Sequence, residues 1–228
     1  MTVPVVTIDG PSGSGKGSLC QMLSRHLGWY LLDSGALYRL VGMAADQRNL
    51  ALDDESAVAA LAEALDVRFL PGEPGEPASV ILDGVDVSTE LRTERTGALA
   101  SQVAVLPAVR SALLKRQRDF AIAPGLVADG RDMGTVVFPG AGLKVFLTAS
   151  AEERAQRRAK QLKAKGESVN LATLLKDIEA RDARDSGRKH APLRPASDAV
   201  AIDSSGLGID DVFQRVLALV KTRFAVTE

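Results

Sequence analysis

The chain carries one cysteine, Cys20, and two histidines, His26 and His190. A single thiol forms no internal disulfide and no cysteine-based metal cluster, and two histidines make no zinc site without carboxylates. Cys20 falls inside a helical pattern and reads as a small core thiol. His26 shares a helical face with Leu19, Met22, Leu23 and Leu27 and reads as packed rather than ligating. Aromatic residues make up 4% of the sequence, a poor supply for stacking on nucleic-acid bases. No apolar run approaches the roughly 18 residues that a membrane span needs. The opening "MTVPVVTIDG" lacks the basic head and long apolar stretch of a secretion signal, so a cytoplasmic location without a membrane partner is expected. The net charge of −1 gives no overall basic field for nucleic acid.

What is present is ordinary in bulk and uneven in detail. The 228 residues, 46% hydrophobic and 25% charged, suffice for one or two domains with a real core. Residues 154–194, however, hold twelve Lys or Arg against five acids. In a nearly neutral chain, that segment is built to meet negative charge or forms a solvated helical arm.

Apolar periodicity gives the order of elements. "VVTID" (5–9) is a β-branched run that leads into a glycine-rich stretch and then a helix with Leu19, Met22, Leu23 and Leu27 on one face. "WYLLD" (29–33) reads as a second buried strand, followed by a helix that Ser34 caps. A short helix is marked by Val58, Leu61, Ala62 and Leu65. Between 66 and 90, "DVRFL" alternates, "PGEPGEP" breaks the chain and "SVILDGVDV" sets Asp-Gly between two β-prone runs, the signature of a two-residue hairpin. Pro107 opens a long helix carrying Val109, Leu113, Arg116 and Phe120. "GLVAD" and "LKVFLT" are short buried strands, "DAVAID" is a last strand, and Ile209, Phe213, Val216, Leu217 and Val220 mark a closing helix. Within the basic segment, Asn170 caps a helix striped by Leu171, Leu174, Leu175 and Ile178. Strands alternating with helices predict an α/β fold, a parallel sheet covered on both faces, with the hairpin and the basic helices as lobes on one core.

Three clusters carry chemistry. The first is "GPSGSGKGS", Gly10, Pro11, Ser12, Gly13, Ser14, Gly15, Lys16, Gly17 and Ser18. Such a loop between a buried strand and a helix offers backbone N–H groups and a helix N-terminus to phosphate oxygens, and Lys16 adds a point charge. The hydroxyl that usually follows the lysine is displaced to Ser18, about 100° around the helix. A metal would therefore depend on other groups and water. The second cluster, "ADGRDMG", sets Asp129, Arg131 and Asp132 beyond a strand's carboxyl end, where an acid can orient magnesium. In the third, "ARDARDSGRK", Arg181, Arg184, Asp185 and Arg188 share one helical face, suited to a transferring phosphoryl group or else to simple pairing such as Arg181 with Asp185.

Together "GPSGSGKGS", "LLDSGALYR", "SQVA", "ADGRDMGTVVFP" and "RDARDSGR" resemble bacterial cytidylate kinases of the nucleoside-monophosphate kinase group, over residues 5 to about 220. The Gly-Lys-Gly-[Ser/Thr] form of the loop is normal for that group. The resemblance implies a single domain with a five-stranded parallel P-loop core (1–60, 95–150 and 190–228), a monophosphate-binding insert (61–94) and a basic lid (151–189). It implies magnesium-dependent transfer from ATP to CMP or dCMP by a monomer without nucleic-acid partners. Residues 10–18 would hold ATP, with Ser18 and Asp129 on the metal, partly through water. Ser12, Arg39, Arg131 and Arg188 would hold the acceptor's phosphate, Arg181 and Asp185 its sugar, and Ser101, Arg110 and Asp132 its base. Ser34 would bind the acceptor as well, and Arg92 would lie on the monophosphate side. Lys16, Asp129, Arg131, Arg157, Arg158 and Arg188 would form the catalytic set, with Arg157 and Arg158 brought down by the lid.

Two other readings stay open on residues alone. One is a P-loop kinase of another small acceptor, such as UMP, AMP, shikimate or a sugar acid. The other is a nucleotide switch, which the absence of an Asn-Lys-x-Asp segment weakens.

Overall fold

The computed structural model describes residues 3–70, 79–164 and 166–224. "PGEPGEP" lies outside the described residues. In chain order the elements are β1 (Val5–Asp9), α1 (Lys16–Leu27), β2 (Tyr30–Asp33), α2 (Ser34–Gln47), α3 (Glu55–Ala64), β3 (Val67–Leu70), β4 (Ser79–Leu82), β5 (Val85–Asp86), α4 (Glu94–Val103), α5 (Pro107–Arg118), β6 (Leu126–Gly130), β7 (Leu143–Thr148), α6 (Ala151–Ala164), α7 (Leu171–Ser186), β8 (Val200–Asp203) and α8 (Ile209–Phe224). They divide into two compact units, Met1–Asp33 with Gln117–Glu228, and Ser34–Arg116.

The first unit is built on a five-stranded sheet in the order β2-β6-β1-β7-β8, and every pairing is parallel. All five residues of the central β1 are buried, in keeping with its β-branched run. The chain leaves β1 toward one side for β2 and β6, and takes β7 and β8 on the other. The carboxyl end of β1 is therefore the switch point at which open α/β sheets bind ligands. Val6, Ile8, Val127, Val145, Leu147 and Ile202 of the sheet pack with Leu19, Cys20 and Leu23 of α1 and Val212, Val216 and Val220 of α8. Cys20 is a buried thiol, as expected.

Some sequence expectations need correction. β2 lies at the sheet's edge, so only Leu32 of its four residues is buried and Tyr30 is 48% exposed. A short apolar run does not reveal how many neighbours its strand will have. His26 is exposed, although its ring meets that of Phe213 edge-on with centroids 5.7 Å apart; it shares the face of Leu19 but lies in the last turn of α1, where that face is no longer covered. Leu171 of α7 is 46% exposed, while Leu174, Leu175 and Ile178 are half-buried in a helix that packs on α6.

The second unit holds α2, α3, α4, most of α5 and a three-stranded sheet, β3-β4-β5, antiparallel throughout. Asp83 (φ 49°) and Gly84 (φ 82°) turn the β4–β5 hairpin. Positive φ at both turn residues matches the right-handed twist of the flanking strands, and Asp-Gly tolerates it well. Asp54 caps α3 by accepting from Ala57 N at 3.0 Å. Pro107 opens α5, which ends at Arg118, short of Phe120. α2 begins at Ser34 itself, where a preceding cap was expected. Among the described residues no single helix is long and apolar enough to cross a membrane.

Candidate active site

The phosphate loop fills the interval between Asp9, the last residue of β1, and Lys16, the first of α1. Gly10 has φ 151°, and a Cβ there would lie 2.0 Å from the Leu147 carbonyl oxygen. Only glycine lets the chain turn off the strand this close to β7. Ser14 is buried, and its Oγ has no hydrogen-bond partner among the described residues. Lys16 Nζ donates to Pro11 O at 2.8 Å, so the ammonium folds back over the loop.

Parallel pairing brings the second cluster alongside. Ile8 stands opposite Asp129 and Asp9 opposite Gly130. Asp129 Oδ1 lies 4.0 Å from Lys16 Nζ. Burial raises the Asp129 carboxyl above its usual range against the pull of Lys16, and burial lowers Lys16 against the pull of Asp129. A Cβ on Gly17 would meet Asp129 Oδ2 at 3.5 Å. The position that lost its hydroxyl therefore faces this carboxylate, while Ser18, the next residue, is exposed. Among the described residues no group of three or more His, Cys, Asp or Glu side chains is arranged to hold a metal.

Asp9 was missed in the sequence, although an acid closing a buried strand is a visible signal. It accepts from Met133 N and Gly134 N, both at 2.8 Å. Burial raises its pKa to about 6 despite those two donors. The carboxylate thus pins the single π-helical turn Met133–Val137. Asp132, itself buried, starts that turn, its carbonyl accepting from Val136 N at 2.8 Å and Val137 N at 3.2 Å.

Arg131, Asp185 and Arg188 meet. Arg131 Nε donates to Asp185 Oδ2, and Arg188 Nη2 donates to Asp185 Oδ1. Burial opposes ionisation of Asp185, but Arg131 and then Arg188 outweigh it and hold the carboxyl below the usual range. Arg181 also acts on Asp185 electrostatically, and the acid forms ion pairs with Arg131 and Arg188. Arg157 reaches the loop directly, donating from Nη1 to Ser14 O at 3.3 Å and to Ser204 Oγ at 3.1 Å, and from Nη2 to Ser204 O at 2.6 Å. Arg158 donates to Gln161 Oε1 at 3.2 Å. Ser204, buried and also donating to Thr148 O at 2.9 Å, was likewise missed; nothing in "IDSSG" sets it apart from a turn serine.

Ser34, Arg39, Ser101 and Arg110 belong to the second unit. Arg39 Nη1 donates to Leu91 O at 2.7 Å and Thr93 O at 3.1 Å, bracketing Arg92. Arg92 Nη1 donates to Ser88 O at 3.0 Å. Arg110 stands over the Tyr38 ring, 5.7 Å from its centroid, within cation–π range. Ser101 Oγ donates to Gly97 O at 3.1 Å within α4.

A glycine-turned loop at the switch point of a parallel sheet, a lysine folded over it and an acid on the adjoining strand define a phosphate-loop α/β nucleotide-binding protein. The sequence comparisons narrow that class. The family model for cytidylate kinase matches residues 6–222. A cytidylate kinase of Pseudomonas entomophila (strain L48) is 62% identical over 213 residues, 93% of each chain. One of Shewanella frigidimarina (strain NCIMB 400) is 56% identical over 224 residues, 98% of each chain. The chain belongs to the cytidylate kinase family, and is thus a kinase and a transferase acting on small nucleotides.

Proposed function

We propose that this chain transfers the γ-phosphoryl group of ATP to CMP or dCMP, giving ADP and CDP or dCDP, as a monomeric cytoplasmic enzyme. The observation that carries the reading is the pairing of a phosphate cradle at Gly10–Ser18 with a second cationic cluster, Arg131 and Arg188 held on Asp185, within one unit. One receives a triphosphate and the other a monophosphate. The Ser14 hydroxyl, buried without a partner, is the kind of donor that a bound phosphate oxygen satisfies.

Residues 10–18 hold ATP, with Lys16 on its outer phosphates. Ser12, Arg39, Arg131 and Arg188 hold the acceptor phosphate, Arg181 and Asp185 the sugar, and Ser101, Arg110 and Asp132 the base, with Ser34 on the same side. The segment 61–94 serves as the acceptor-side insert and 151–189 as the lid that carries Arg157 and Arg158. The acceptor's phosphate oxygen attacks the γ-phosphorus in line as the bond to the leaving ADP oxygen breaks, and no covalent enzyme intermediate is needed. Alignment and charge stabilisation are the enzyme's contribution. Lid closure excludes water, which would otherwise take the phosphoryl group.

Magnesium fits the donors present. Asp129 and Ser18 offer hard oxygens beside the cradle, the kind a magnesium ion combines with substrate phosphates and water. When bound, magnesium neutralises charge developing between the β- and γ-phosphates.

The test is a steady-state panel of CMP, dCMP, UMP and AMP with ATP, read by coupled ADP release. CMP and dCMP should exceed UMP and AMP in kcat/KM by at least about a hundredfold, as expected when a buried hydrogen-bond match is lost. Equal rates across the panel, or AMP as the best acceptor, overturn the proposal.

A further inference from the structure

Arg154 in α6 has no part in the chemistry above, yet its side chain is 4% exposed. Its Nε donates to Ala149 O at 3.0 Å. Nη1 donates to Ser12 O at 3.0 Å and to Asp182 Oδ1 at 3.1 Å, and Nη2 to Asp182 Oδ2 at 2.5 Å. Burying a guanidinium is costly unless its donors are matched, and here one planar fork grips a carboxylate with two nitrogens while also holding a loop carbonyl. Its stem matters too, because a Cβ on Gly13 would lie 3.2 Å from Arg154 Cβ. The Ser12–Gly13 corner of the phosphate loop therefore rests on this side chain.

The other end of the fork reaches α7. Asp182 follows Arg181 directly and precedes Asp185 by one helical turn, and Asp185 holds Arg131 and Arg188. We infer that Arg154 is a positioning residue, paired with Asp182, that joins the phosphate loop to the arginine-bearing face of α7. Through it, the loop corner and the groups Arg181, Asp185 and Arg188 are set against each other by one buried fork. This rests on the proposed reading of the two clusters as donor and acceptor sites, and it assigns a residue that touches neither nucleotide.

A lysine at 154 keeps the charge but cannot hold the loop carbonyl and both carboxylate oxygens at once. An asparagine at 182 keeps the shape, weakens the link to α7 and leaves Ser12 O in the hand of Arg154. The two variants should therefore differ. Michaelis constants for ATP and CMP, kcat, calorimetric binding of an imido-bridged ATP analogue and melting temperature are to be measured for wild type, Arg154→Lys and Asp182→Asn.

Arg154→Lys should raise both Michaelis constants and weaken analogue binding by about tenfold, the scale of losing one charge-assisted bidentate pair. Asp182→Asn should raise the CMP constant by about tenfold and leave analogue affinity within about twofold. If Arg154→Lys fails to fold, the split shown by Asp182→Asn carries the test by itself. Folded variants in which kcat falls with the melting temperature while both Michaelis constants stay at wild-type values make Arg154 merely structural and overturn the inference. A wild type that binds the analogue but phosphorylates no CMP overturns the functional reading and the inference together. An active wild type matched by both variants overturns the inference alone.

Discussion

Arg131, just beyond the end of β6, donates its Nε proton to Asp185 near the end of α7, whose other carboxylate oxygen accepts from Arg188. A single buried acid thus orients two guanidinium groups proposed to meet the acceptor phosphate. Replacing Asp185 by asparagine leaves both arginines with one neutral amide where a carboxylate stood. Breaking such a pair costs about 3 kcal/mol of stability, and we expect kcat/KM for CMP to fall by about a hundredfold. The wild-type carboxyl is held below its usual range by Arg131 and Arg188. Its contribution to stability is therefore present above the unfolded value and is lost as pH falls through the folded value. Acid denaturation followed by circular dichroism should show that acid-side loss in the wild type and a smaller one in Asp185→Asn.

Asp9 behaves in the opposite sense. Its pKa is raised to about 6 by burial, so the native state binds the proton more tightly than the unfolded chain. Its contribution to stability is fully present below the unfolded value and is lost as pH rises through about 6. In urea titrations across that interval, Asp9→Asn should remove up to about 3 kcal/mol of the pH dependence. The substitution should also lower stability at every pH, because an amide offers one acceptor to two backbone donors. Identical pH slopes in the two proteins would remove Asp9 from this account.

Two glycines with positive φ should respond very differently to alanine. At Gly10 the new Cβ would lie 2.0 Å from Leu147 O, whereas at Gly84 nothing lies within 4 Å. Gly84→Ala meets only the left-handed backbone penalty of about 1 kcal/mol. Gly10→Ala must in addition push β7 and the loop apart, for more than about 4 kcal/mol and loss of nucleotide binding. Chemical denaturation of both variants measures the contrast, and comparable small losses would mean that the loop and β7 separate easily.

Much of this was legible in the residues. β1, the loop and α1 follow from a β-branched run, spaced glycines and an amphipathic stripe, and the Asp83–Gly84 hairpin from turn chemistry alone. These are local effects, decided within a few residues. Neighbours brought together from far along the chain were less legible. The edge position of β2 depends on which strands pair, and the exposed Leu171 on α7 packing against α6. Arg154 reads in sequence as one of several basic residues on a charged helix, and only the meeting of α6 with both the loop and α7 makes it a buried fork. Asp9 looks like a strand-end acid until the turn at Met133 closes over it.

Asp132 offers the sharpest test of base selection. It is buried at the start of the π-helical turn, and its proposed partner is the amino group on the cytosine ring. A carboxylate accepts from that donor, whereas uracil presents a carbonyl at the same place and meets the acid with repulsion. Alanine at 132 removes both the attraction and the repulsion. The ratio of kcat/KM for CMP over UMP should therefore fall by about a hundredfold, the scale at which a lost buried hydrogen-bond match discriminates. The Michaelis constant for ATP should stay within about twofold of wild type, because uniform binding of the donor is untouched. Selectivity unchanged in Asp132→Ala would move base reading to Ser101 and Arg110. A rise in the ATP constant as large as the loss of selectivity would show instead that Asp132 supports the loop through the turn that Asp9 pins.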